Sequence, residues 1–113
     1  MAYDLITPAK LGRGAISASP TVDTIYTTPS GIRSIVKDID LSNTTAAAIN
    51  VTVYLVESGG SPGAANTLIP NVSVPGYGIF QWSGSQVLNA GDSIRTTASA
   101  AGSTINASGA ECV

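Results

Sequence analysis

The stretch GGSPG, from Gly59 to Gly63, fits G-x-S-x-G, the pattern that in hydrolases sets a nucleophilic serine on a strand-to-helix turn. Ser61 would then need an imidazole to take its proton, and the chain contains no histidine. That single absence also removes Cys-His pairs and histidine-ligated metal centres. Residues on both sides of the loop read as strands, so the strand-to-helix setting of a nucleophile elbow is missing as well. The same loop lacks the Lys-Ser/Thr ending of a phosphate-binding P-loop. Two carboxylates, Asp38 and Asp40, share one face of a strand and sit about 7 Å apart if the strand is regular. They read as a solvated face, because a calcium site collects six to eight oxygens from a dedicated loop. Cys112 is the only cysteine, which excludes an internal disulfide or a thiolate cluster, and it reads as a small apolar residue near a strand end. No catalytic residue, metal site or cofactor is expected.

Composition narrows the partners. Charged residues make up 11% of the chain, against roughly 25% in ordinary soluble domains, while Gly contributes 12 positions and Ser and Thr are abundant. Five basic and seven acidic residues give a net charge of -2, too little positive charge for a nucleic-acid backbone. No run approaches the roughly 18 apolar residues of a membrane-spanning helix, and the N-terminus lacks the basic start and apolar run of a signal peptide. The expectation is a soluble chain that binds neither nucleic acid nor membrane. Asn-x-Ser/Thr triplets begin at Asn43, Asn50, Asn71 and Asn106, and without an export signal they read as products of the Ser/Thr-rich composition.

The 113 residues suffice for one core without disulfides. Residues 1–20 lack a helical or strand period and are punctuated by Pro8, Gly12, Gly14 and Pro20, so they read as an extended N-terminal arm. Residues 21–113 read as a β-sandwich domain, with short β-rich runs separated by turn residues every eight to twelve positions. In IRSIVKDIDLS the period of two puts Ile35, Ile39 and Leu41 on one face, with Val36 on the other, and Lys37 interrupts the apolar side. INVTVYL alternates cleanly, with Ile49, Val51, Val53 and Leu55 inward, and is expected to be central. Pro70 marks Thr67 to Val74 as an edge strand or a bulge. Pro75-Gly76 is expected to turn with positive φ at the glycine. Phe80 and Trp82 share a face and anchor the core; Ile94, Thr96 and Ala98 form another inward row, and Ile105, Ala107 and Val113 a last one. The fold class is therefore all-β: an antiparallel two-sheet sandwich, jelly-roll or immunoglobulin-like, with an extended arm.

The order IYTTPSGIRSIVKDIDLSNTTAAAINVTVYLVESGGSPGAANTLIPNVSV, followed by QWSGSQVLNAGDSI, resembles small virion proteins encoded beside capsid and tail genes of tailed bacteriophages. The resemblance covers about residues 24–95 and rests on the Tyr-Thr-x-Pro-x-Gly turn, Ile-Val-Lys strand, Asn-Thr turn, Gly-Ala-Ala-Asn-x-Leu loop end and Leu-Asn-Ala-Gly-Asp. It implies a structural virion component with no catalytic residues to carry over. Foremost, it implies a head decoration or cement protein on the capsid exterior, made in the bacterial cytoplasm. Its partners would be the major capsid protein and itself, as a homotrimer. A tail, neck or fibre component is the alternative within the class; a carbohydrate-binding sandwich stacking sugars on Tyr54, Tyr77 or Trp82 is one outside it. The arm lies outside the resemblance, and its Leu5, Ile6, Lys10, Leu11 and Arg13 are candidate assembly contacts.

Overall fold

The computed structural model describes residues 6–112. Eight strands follow in chain order: β1 (Ile6–Ile16), β2 (Asp23–Thr27), β3 (Arg33–Asn43), β4 (Ile49–Val56), β5 (Thr67–Val74), β6 (Ile79–Leu88), β7 (Ser93–Ala98) and β8 (Ser103–Cys112). They form two antiparallel four-stranded sheets, ordered β1-β8-β3-β6 and β2-β7-β4-β5. Only β4 and β5 are neighbours both in sequence and in a sheet; every other connection crosses from one sheet to the other. Eight strands wound this way make a jelly roll, which decides between the two sandwich types. Closing the fold requires β1 to pair with β8 across almost the whole chain.

Between the sheets lies one core, with Leu11, Val36, Ile39, Leu41, Val51, Val53, Ile94 and Ile105 fully buried. Each such side chain contributes about 2 kcal/mol of hydrophobic stabilisation. Phe80 and Trp82 pack against this core half-buried, as their shared face predicts.

The stretch read from sequence as an arm is extended, and it is also a sheet strand. Ile6 to Ile16 pair with β8, and Leu11 and Ile16 enter the core. The sandwich therefore begins well before residue 21. The sequence hid this because β1 carries an extra residue. Its register slips between Lys10 and Gly12, leaving Leu11 unpaired and turned inward, so no period of two survives across the strand.

The same device corrects β3. Its register against both β6 and β8 slips between Val36 and Asp38: against β8 Lys37 is the extra residue, while against β6 both Gly84 and Ser85 fall opposite it. Ser34 and Val36 face inward before the slip, Ile39, Leu41 and Asn43 after it, and Ile35 points the other way. The lysine that interrupts the apolar face is thus the bulge itself, and its Nζ donates to Ser85 Oγ (2.8 Å). At the same level Gly109 of β8 is crowded: a Cβ there would lie 1.8 Å from the Ile35 carbonyl oxygen.

In the second sheet β4 is central and β5 is an edge, as Pro70 implies. Asn71, at φ 44, kinks β5 where its register against β4 slips, so that Ile69 is buried as well as Val74, with Leu68 and Val72 packing half-buried against the core. At the end of β4, Val56 is buried and Leu55 only half so. Ile94, Thr96, Ala98, Ile105 and Ala107 are buried as the alternation predicts, whereas Val113 lies outside the described residues.

Candidate assembly surfaces

A jelly roll gathers its connections at its two ends. One end holds residues 17–22, 44–48, 75–78 and 99–102, laced together by main-chain hydrogen bonds: Tyr77 N to Thr45 O (2.8 Å), Thr44 N to Gly102 O (2.9 Å) and Asn43 N to Gly78 O (3.0 Å). Residues 28–32, 57–66 and 89–92 meet at the other, where Thr28 N donates to Asp92 O (2.8 Å) and Gly91 N to Thr28 O (3.0 Å).

The first end contains no Asp, Glu, Lys or Arg in its four loops. Its polar anchor is Asn43, 3% exposed, whose Nδ2 donates to Ala47 O (2.7 Å) and Val74 O (3.1 Å) while its Oδ1 accepts from Thr45 N (2.9 Å) and Thr45 Oγ1 (2.8 Å). The nearest carboxylate along the chain, Asp23, accepts from Ser17 N (2.7 Å) and Ser17 Oγ (3.1 Å). Ala46, Ala47, Ala48, Ala100 and Ala101 are exposed, as are Tyr77 (75%) and Ile79 (68%).

Tyr77 sits at φ 55, in the left-handed region that a bulky side chain rarely adopts. The turn differs from the expected one by a single position: Gly76 and Tyr77 are its central residues, and Gly78 N donates to Pro75 O (2.8 Å). Gly76 is required for space, since a Cβ there would lie 2.0 Å from Ala46 O. The positive φ consequently falls on the tyrosine.

At the other end Asp92 does the fastening. Its Oδ1 accepts from Ser58 N (3.0 Å) and its Oδ2 from Asn89 N (2.9 Å). Within the GGSPG loop, Asn66 takes Gly63 N on its Oδ1 (2.9 Å) and donates to Ser61 O (2.9 Å). Ser61 is exposed on this loop, which runs through a single 3-10 turn (Ala64–Asn66) into β5. Beside it, Glu57, Asn66, Gln86, Val87 and Asp92 border an open groove of about 310 Å³.

The outer face of the β1-β8-β3-β6 sheet carries a second feature. A shallow depression of about 580 Å³ is bordered by Lys10, Arg13, Lys37, Asp40 and Asn106, bringing together three of the five basic residues. Arg13 Nε donates to Asn106 Oδ1 (2.9 Å). Asp38, which accepts from Gln81 Nε2 (3.3 Å), and Asp40 share this face as the alternation predicts. The Asp40 carboxyl is pushed above the usual range, first by burial, then by the charge of Asp38 and their shared hydrogen bond.

Of the candidate arm contacts, Lys10 and Arg13 lie together on this face, Ile6 is 62% exposed at the start of β1, and Leu11 is consumed by the core. Leu5 lies outside the described residues. The aromatic residues considered for sugar stacking are dispersed: Tyr54 is half-buried in β4 and Trp82 half-buried in β6, with Tyr77 alone fully exposed. Cys112 is free and buried. Among the described residues, no group of three or more His, Cys, Asp or Glu side chains is placed to hold a metal ion. No described helix is long and apolar enough to cross a membrane.

Sequence reasoning missed the tie between the sheets at Tyr26, whose hydroxyl donates to Glu111 Oε2 (2.6 Å) and lies 2.7 Å from Ser34 Oγ. Burial and then the Glu111 hydrogen bond push the Tyr26 hydroxyl pKa up. Nothing local marks this contact, because its partners come from three strands.

No family model matches the chain, and no curated protein matches it at a significant level. Among solved structures it is similar to a chain in the structure of infectious bursal disease virus, Gx strain, with a TM-score of 0.56 and 10% sequence identity over 96% of this chain. The similarity spans 32% of that viral chain, so the two share a fold over one part of a larger protein.

Proposed function

We propose that the chain is a structural protein of a virus particle, and specifically a head decoration protein of a tailed bacteriophage, seated on the capsid exterior and self-associated as a trimer. The observation that carries the reading is the jelly roll with one end free of charged loop residues and exposing Tyr77 and Ile79. Jelly rolls recur in viral capsid domains, as well as in lectins and cupins, so the fold alone does not assign the role. The surface favours an assembly role because contacts with few charges avoid burying unpaired ions. The similarity to a viral chain and the resemblance over residues 24–95 both support it. Quantitative mass spectrometry of purified particles is expected to find this chain at a fixed ratio to the major capsid protein. Particles made without its gene are expected to burst at lower temperature. Its absence from washed particles would overturn the reading.

A further inference from the structure

We infer that copies of this chain meet one another through the uncharged end, with Tyr77 and Ile79 at the contact. The inference deepens the self-association proposed above and rests on that part of the reading, independently of where in a particle the protein sits.

Charge placement selects the partner. Around a rotation axis each residue near the axis meets its own copies, so any charge there faces a like charge. Acidic residues outnumber basic ones seven to five, and the far end carries Glu57 and Asp92, which would confront themselves in such a contact. The loops of the near end hold no charged residue, and Asp23, the carboxylate that reaches them, is engaged by Ser17 N and Ser17 Oγ. The loops equally hold no charge for a partner of opposite sign to recognise, which favours a second copy over an acidic or basic protein.

Presentation supports the same surface. Among the described residues, Tyr77 and Ile79 are the most exposed large apolar side chains, and they stand two positions apart. An exposed tyrosine at φ 55 is strained, and such strain persists where surrounding structure holds it in place. Here the holding contacts are the Tyr77 N to Thr45 O bond, the Gly78 N to Pro75 O bond and the packing of Gly76 on Ala46. The ring is therefore offered from a braced turn, whose backbone has little freedom to lose on contact. The exposed alanines of 46–48 and 100–101 continue the apolar surface beside it.

Sedimentation equilibrium of the purified full chain at micromolar concentration tests this. Wild type is expected to sediment at an integral multiple of the single-chain mass. Tyr77→Asp and Ile79→Asp should each weaken association by at least tenfold. Tyr77→Gly, which suits the positive φ and so safeguards folding, should do likewise with an unchanged or higher Tm. Glu57→Lys, at the opposite end, should leave the mass unaltered. A monomeric wild type would overturn both the self-association and this contact. An oligomer that survives Tyr77→Gly and Ile79→Asp, or that dissociates on Glu57→Lys, would overturn this contact alone.

Discussion

The two ends of the sandwich solve one problem with different chemistry. Each must tie several loops together, and each has a principal side chain that binds main-chain groups of more than one segment. At the far end that side chain is a carboxylate, Asp92, holding Ser58 N and Asn89 N on an exposed surface. At the near end it is an amide, Asn43, 3% exposed and hydrogen-bonded to Ala47, Val74 and Thr45. An amide both donates and accepts, so it satisfies carbonyls and N–H groups at once and brings no charge. The difference teaches that the near-end loops carry no charge even at their principal polar anchor, while the one carboxylate that reaches them, Asp23 at the start of β2, is taken up by Ser17 N and Ser17 Oγ.

Replacing the two anchors breaks the comparison most severely. Asn43→Ala strands the buried Val74 carbonyl and should cost about 2 to 3 kcal/mol, whereas Asp92→Ala, whose partners can turn to water, should cost about 1 kcal/mol. Urea unfolding of the two variants checks the ranking. Equal losses would mean that the anchors are equivalent and the neutral end is not specially built.

Two glycines sharpen it next. Gly76→Ala drives a methyl into Ala46 O and should cost about 2 kcal/mol by overpacking. Gly63, in the far-end GGSPG loop, has extended backbone and nothing within 4 Å of a built Cβ, so Gly63→Val should change the stability of the isolated chain by less than about 0.5 kcal/mol. Thermal melts give both values, and any effect of Gly63→Val confined to assembled particles would locate a contact at that loop.

The smallest effect lies between the ends, on the outer sheet face. The Asp40 carboxyl is raised by burial and then by Asp38, so the folded chain holds this proton more tightly than the unfolded one. Stability from this group therefore rises as pH falls through the raised value, and the gain is complete below the ordinary Asp value of about 3.9. Asp40→Asn should slightly stabilise the chain at neutral pH and flatten that rise. Urea midpoints measured from neutral to acid pH would show it, and an unchanged pH profile would contradict the assignment.

Much of this fold was legible from alternation. INVTVYL, the Ile94-Thr96-Ala98 row and the edge position implied by Pro70 follow from local rules of strand chemistry. The failures share a cause. Leu11, Lys37 and Asn71 sit at irregularities whose positions are set by neighbouring strands, and one such residue reverses every face beyond it. Hence alternation puts Ile35 inward in place of Val36, and β1 reads as an arm. The turn at Pro75 was off by one residue because Gly76 answers to Ala46, thirty positions away in sequence. As for the candidate surface, the absence of charge in the near-end loops was readable residue by residue. Their convergence on one end was not, because it follows from the crossover order of the strands.

A cryo-EM map of the intact particle tests the central claim most directly. The account predicts density for this jelly roll on the capsid, with copies grouped about an axis and their Tyr77 ends turned toward one another. A map without this chain, or with the Glu57 and Asp92 ends at the axis and Tyr77 facing solvent, would contradict it.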